Sequence, residues 1–260
     1  MIVFFLLISQ LFCVPTYAQE QEKYLTYVPW SSVKQKVQDL VNICNDVKKL
    51  DSTRKAQGVN FLDVFLNETD MNGNTWFEFA SYVGDTDVMQ QIIDLAIKSV
   101  LIESPEFKDY LAIAKRTGRT TLYDKTQKTI STAQALRTIA VISQPDYAGT
   151  TPLMYASMFN RKEAVDKITF QAMILFEVAE STLNKDSYEN FIFAENVTEK
   201  SALIFAACQK KPNIDLINIL IKSAKTASEM SGNKGCYIYS ITKALMCTKN
   251  KQVREILLNF

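Results

Sequence analysis

The stretch Asp146 to Ile168, DYAGTTPLMYASMFNRKEAVDKI, constrains the fold more than any other part of the 260-residue chain. Pro145-Asp146-Tyr147-Ala148-Gly149 reads as a tight turn, because Gly149 can take a positive φ without steric cost. Thr151-Pro152 then starts a helix: the Thr hydroxyl can cap free backbone N–H groups, and proline suits the first helical position. Leu153 and Ala156 are three apart, so they share one face of a short helix. Asn160 tolerates a left-handed helix stop, and Glu163, Ala164, Val165 and Ile168 open a second amphipathic helix. The spacing predicts a turn, a short helix, a loop and a second helix.

The pattern recurs at Asp70 to Ile93, DMNGNTWFEFASYVGDTDVMQQII, where Asp70, Gly73, Thr75, Phe77, Ala80, Gly84, Val88 and Ile92 fall in register. The unit resembles an ankyrin repeat, which runs D-x-x-G-x-T-P-L-H-x-A, then a glycine-containing loop and a second helix. Asp146, Gly149, Thr151, Pro152, Leu153 and Ala156 match it; Met154 stands where the family usually has His, and Trp76 replaces the proline in the other copy. The resemblance implies an all-α fold, an ankyrin-repeat solenoid of stacked helix-turn-helix units with additional capping and inserted helices.

It also implies where a protein partner would sit. Ankyrin arrays contact partners through the turn tips and the exposed ends of the first helices, on the concave face. Here those positions are Met71, Asn72, Asn74, Tyr82 and Val83, then Tyr147, Ala148, Thr150, Met158 and Phe159. Tyr82, Tyr147, Met158 and Phe159 are large side chains of the kind that anchor interfaces. The alternative is local: the extra helices of a divergent array cover them.

Residues 1–18, MIVFFLLISQLFCVPTYA, carry an uncharged apolar core from Ile2 to Val14 that is too short for a membrane span. Pro15 breaks it, and Thr16 and Ala18 are small residues at −3 and −1. The segment reads as a secretory signal peptide cleaved after Ala18. No Lys or Arg precedes the apolar run, which leaves an uncleaved anchor or a buried first helix as alternatives. Cys13 lacks the small residues expected before a lipoprotein cysteine.

Residues 19–69 read as an N-terminal extension with a capping helix, and residues 70–258 as the divergent array. Ser32 and Gln35 have capping-box spacing, and Val33, Val37, Leu40, Val41, Cys44, Val47 and Leu50 form an apolar stripe at helical spacing. Asp51 to Gly58 reads as a charged loop, and Asn60 to Leu66 as a short helix or turn. Ser104-Pro105-Glu106 starts an inserted helix through Phe107, Tyr110, Leu111 and Ala114. Gly118 to Leu122 resembles a degenerate repeat in which Lys125 occupies the small-residue position, with Thr132 to Ile142 as its second helix. Ser201 to Ala207 resembles a further first helix without the glycine turn, paired with Asn213 to Lys222. Ser240 to Leu258 reads as a last unit, with helices around Ala244 and Val253.

Chemistry is poorly represented. There is no histidine, the commonest general base and metal ligand, and no Gly-rich phosphate loop, nucleophile elbow or zinc motif. The residues point to no enzyme, no cofactor and no metal. Net charge is +1, which offers no global attraction to nucleic acid, although Lys200 onward carries net +7 and residues 1–199 net −6. That basic end fits a solvated end cap, an acidic partner or an anionic membrane surface. Cleavage leaves Cys44, Cys208, Cys236 and Cys247, and four cysteines allow three pairings. Cys236 with Cys247 is the expected bridge, with Cys44 and Cys208 as buried small hydrophobes. Two glycosylation tripeptides, Asn67-Glu68-Thr69 and Asn196-Val197-Thr198, matter in a glycosylating secretory pathway.

These readings converge on a secreted or periplasmic monomer that binds a protein through its turn tips and concave face, such as an exported effector. No membrane association is expected once the leader is cleaved. The alternative is a membrane-associated scaffold held by an uncleaved N-terminus and the basic C-terminal face.

Overall fold

The computed structural model describes residues 29–58, 60–104 and 106–259. The signal-peptide expectation for residues 1–18 lies outside the described residues. The described residues divide into two compact units, with Pro29 to Lys36 in one and residues 37–259 in the other.

Among the described residues the fold is all-α. The one pairing of extended backbone there is an isolated antiparallel bridge between Thr69 and Thr75. The helices are α1 (Trp30–Asn45), α2 (Val47–Gln57), α3 (Phe61–Leu66), α4 (Trp76–Val83), α5 (Thr86–Glu103), α6 (Glu106–Arg116) and α7 (Thr120–Ser143). They continue with α8 (Pro152–Met158), α9 (Lys162–Val178), α10 (Ser187–Ile192), α11 (Ala202–Ala207), α12 (Ile214–Ser231), α13 (Gly235–Cys247) and α14 (Lys251–Leu258).

Short helices form one row in the larger unit: α4 packs on α8, α8 on α11, and α11 on α13. Longer helices form a second row, α5 on α7, α7 on α9, and α9 on α12, and α4, α8 and α11 each pack on the long helix that follows in sequence or next to it in the pair. Ala80, Ala156 and Ala206 are completely buried on the short helices. Small side chains there let neighbouring helix backbones approach closely. Phe77, Leu153, Ile92, Ile168, Leu216 and Ile217 fill the core behind them.

Local chemistry sets the helix starts. Thr75 caps α4 through a complete capping box: its hydroxyl accepts from the Glu78 N–H at 3.2 Å, and its own N–H donates to Glu78 Oε2 at 2.5 Å. Thr151 caps α8, with Pro152 at the first helical position as expected. Asp85 and Asn213 cap α5 and α12 through the N–H groups of Val88 and Leu216.

Several sequence expectations are corrected. The apolar stripe does not run through Val47, which is exposed, because the helix ends at Asn45 and Asp46 caps a new one by accepting from Lys48 N–H and Lys49 N–H. Residues 51–57 belong to that helix, α2, and are not a loop. Gly118 to Ile142 holds no turn-helix-loop-helix unit. Thr120 to Ser143 is one unbroken helix with no Gly or Pro inside it, and the Thr126, Thr129 and Thr138 hydroxyls bond to carbonyls one turn back. Helix α7 lies in the long-helix row between α5 and α9, with α6 folded against it. Its ion pair from Arg137 to Asp63 ties it to α3. Helix α10, absent from the sequence reading, brings Tyr188 and Phe191 onto Phe176 at ring-centroid distances of 5.5 and 5.8 Å.

Candidate functional site

Three turns precede α4, α8 and α11, and all three close in the same way. At the first, Asp70 N–H donates to Asn74 O (3.0 Å), Gly73 N–H donates back to Asp70 O (3.1 Å), and Asp70 Oδ1 accepts from the N–H groups of Asn72 (2.8 Å) and Asn74 (2.9 Å). At the second, Asp146 N–H donates to Thr150 O (3.1 Å), Gly149 N–H donates to Asp146 O (2.9 Å), and Asp146 Oδ1 accepts from Ala148 (2.8 Å) and Thr150 (2.7 Å). At the third, Asn196 N–H donates to Lys200 O (3.2 Å), Glu199 N–H donates to Asn196 O (2.8 Å), and Asn196 Oδ1 accepts from Thr198 (3.0 Å) and Lys200 (3.2 Å). A side-chain oxygen that accepts from N–H groups two and four residues on rigidifies each turn.

The turns are also joined to one another. Tyr147 N–H donates to Asn72 O at 3.0 Å, and Val197 N–H donates to Ala148 O at 2.9 Å. Turns 76 and 50 residues apart in the chain, counted between Asp70, Asp146 and Asn196, are thereby direct neighbours. Each contact is close: a Cβ on Gly73 would fall 2.7 Å from the Tyr147 ring, and one on Gly149 would fall 3.4 Å from Asn196 Cα. Both glycines have positive φ, 85° and 75°.

Beneath the first two turns lies a buried polar cluster. Tyr155, within α8, donates its hydroxyl to Asp146 Oδ2 (2.8 Å) and lies 3.0 Å from Asn74 Oδ1, while Asn74 Nδ2 donates to Asp70 Oδ2 (2.9 Å). Burial pushes the Tyr155 hydroxyl pKa up, and the neighbouring Asp146 pushes it further. Burial also raises the Glu78 carboxyl, to about 9, with Asp146 and Asp70 adding to the shift against the hydrogen bonds from Thr75.

This arrangement sorts the sequence-derived site residues. Asn74 and Thr150 are buried and cannot touch a partner; their polar groups are used in closing the turns. Met71 and Tyr147 are 80% and 77% exposed at the second position of their turns, with Asn72 exposed and Ala148 half-buried beside them. Val197, 72% exposed, holds the same position in the third turn. Sequence reading missed Val197 because Glu199, at φ 56°, stands where the other turns have glycine. The remaining signal was present: Asn196, Ser201 and Ala206 repeat the spacing of Asp70, Thr75 and Ala80 and of Asp146, Thr151 and Ala156.

The other end of the short-helix row is less open. The Tyr82 and Phe159 rings meet edge to face at 4.3 Å, and both residues, with Val83 and Met158, are half-buried. Arg161 crosses this end, its Nε donating to Tyr82 O (3.0 Å) and its side chain lying over Gly84. Gln209 Nε2 donates to Met158 O at 2.5 Å. Tyr82, Met158 and Phe159 thus connect neighbouring units as well as facing outward.

The expected Cys236–Cys247 bridge is corrected. Both residues lie on α13, and eleven helical steps separate their Cα atoms by roughly 16 Å, far beyond the ~7 Å a disulfide spans. Cys247 is joined instead to Cys208, which ends α11, with the Cα atoms 5.8 Å apart. Cys44 and Cys236 are free thiols. Among the described residues no group of His, Cys, Asp or Glu is arranged to hold a metal ion, and no helix is long and apolar enough to cross a membrane. Comparison with protein-family models, with curated proteins and with solved structures yields no match.

Proposed function

We propose that the chain is an exported ankyrin-repeat protein that binds a protein partner through its row of turn tips, without catalysis. The observation that carries this reading is the row itself. Met71, Tyr147 and Val197 occupy one position in three turns bonded to each other through the main chain, and each is largely exposed. Apolar side chains held on a closed, hydrogen-bonded edge lose little freedom when a partner covers them. The ankyrin reading draws on the shared turn pattern, the short and long helix rows, and the small residues at Ala80, Ala156 and Ala206. Export is supported by the signal-like residues 1–18 and by the Cys208–Cys247 disulfide, since such bridges persist in oxidising compartments.

A photo-crosslinking residue at position 71, 147 or 197, placed in the protein in its native host, tests the reading. One discrete protein adduct shared by the three positions, and missing when the crosslinker sits at exposed Val64, is the expected result. Adducts that do not differ between the row and Val64 would refute it.

A second reading, a scaffold on an anionic membrane, is favoured by the net +7 carried from Lys200 onward. Salt-sensitive co-sedimentation with anionic vesicles is its expected signature; no sedimentation at low salt removes it.

A further inference from the structure

The two Asn-x-Thr tripeptides meet the same sequence requirement for N-linked sugar, and the fold treats them in opposite ways. Asn196 is the pivot of the third turn and is 8% exposed. Its Oδ1 accepts from Thr198 N–H, from the Thr198 hydroxyl (2.8 Å) and from Lys200 N–H. The middle residue, Val197, is tied to Ala148 O, and the second turn closes on the Asn196 backbone at Gly149. Asn-x-Thr is therefore a turn device here: the threonine returns both its hydroxyl and its amide to the asparagine oxygen.

Asn67 stands at the C-terminal end of α3, and Asn67, Glu68 and Thr69 are all exposed. Its Nδ2 donates to Asp63 O (2.9 Å) and Asp63 Oδ1 (2.7 Å), one turn back on α3, where Asp63 is half-buried and also pairs with Arg137. A glycosylated amide keeps one N–H, so the sugar replaces at least one of those two bonds, and the exposed Asn67 side chain turns outward to carry it. Pro is absent from both tripeptides and from the residue after each, so local sequence does not distinguish them.

We propose that Asn67 is an N-glycosylation site of the exported protein and that folded molecules carry no sugar at Asn196. This rests on the export reading and on a cell that glycosylates its secretory proteins. The co-reactant is a polyprenyl-pyrophosphate-linked oligosaccharide. Asn67 Nδ2 forms a bond to the sugar C1 and gives up one proton; the C1–O bond breaks, and polyprenyl pyrophosphate leaves with the electron pair. Transfer precedes folding, so the discrimination appears in the folded product: a chain with sugar on Asn196 cannot pack its third turn against the second.

The test is secretion of the full chain from a eukaryotic host, once with its own residues 1–18 and once behind a foreign cleavable leader. Folded monomer is purified by size exclusion, and its intact mass is taken before and after endoglycosidase. One glycan is expected, lost in Thr69→Ala and Asn67→Gln and retained in Asn196→Asp. The aspartate supplies the same acceptor as Asp70 and Asp146 do in their turns, so that variant keeps the turn while removing the amide. A glycan on Asn196 of folded wild-type monomer overturns the inference, and so does a bare Asn67 in the chain exported by the foreign leader. A glycan at Asn67 that appears only behind the foreign leader upholds the site and refutes export by residues 1–18.

Discussion

Tyr155 donates its buried hydroxyl to Oδ2 of Asp146 at 2.8 Å, so the helix behind the second turn holds the residue that closes that turn. The same hydroxyl lies 3.0 Å from Asn74 of the first turn, which links two short helices through one polar atom. Tyr155→Phe removes that donor and leaves the buried Asp146 Oδ2 short of it. An unsatisfied buried acceptor costs about 1–3 kcal/mol, so the variant should unfold at clearly lower urea concentration than wild type. Coincident unfolding curves would show that the cluster contributes nothing to stability.

Glu78 makes stability depend on pH. Its carboxyl is raised to about 9 in the folded chain, mainly by burial, and faces Asp146, Asp70 and Tyr155. Its Oε1 is buried without a hydrogen-bond partner. Between the unfolded carboxyl value, near 4.5, and about 9, the unfolded chain releases a proton that the folded chain keeps. Stability therefore falls as pH rises through that window, and below it this group contributes no pH dependence. Glu78→Gln keeps an N3 side chain suited to the capping box and does not titrate. The variant should gain stability relative to wild type at pH 8, with a flatter melting temperature from pH 5 to 9. Parallel pH profiles for the two proteins would contradict the assignment.

The Cys208–Cys247 bridge should hold the last helix pair in place. Helix α13 buries only Ser240 and Ala244, too little apolar surface to dock it firmly. A bridge closing a loop of this size is typically worth about 2–4 kcal/mol. Reduction, or Cys208→Ser with Cys247→Ser, should speed hydrogen exchange across α13 and α14 and leave α8 and α9 protected. Unchanged exchange in α13 after reduction would assign its stability to packing instead.

Glu199 occupies the left-handed region at φ 56°, where the two other turns have glycine. Non-glycine residues there cost of order 1–3 kcal/mol. Glu199 also makes an ion pair with Lys243 at 3.6 Å, but its side chain is exposed and such pairs contribute about 0–1 kcal/mol. Glu199→Gly should therefore raise the melting temperature by a few degrees. A lower melting temperature would mean that the ion pair outweighs the backbone strain.

The local units were legible in the sequence because their determinants lie within about ten residues of one another. Asp146, Gly149, Thr151 and Pro152 specify a turn and a capped helix start by spacing alone, and Asp70, Gly73 and Thr75 repeat it. The helices α6, α9, α11 and α14 were likewise readable from apolar period and end signals. The third turn escaped because one glycine had become Glu199, although the Asn196, Ser201 and Ala206 spacing remained.

What the tertiary structure decided are relations between residues far apart in the chain. It placed Tyr147 on Asn72 across 75 positions, put α7 between α5 and α9, and joined Cys247 to Cys208 instead of to its neighbour on the same helix. It also separated exposed Met71 and Tyr147 from buried Asn74 and Thr150, which stand only three residues away in the same turns. Sequence spacing fixes backbone conformation because φ, ψ and capping bonds are short-range. Burial and pairing depend on which other segment arrives, and no local pattern encodes that.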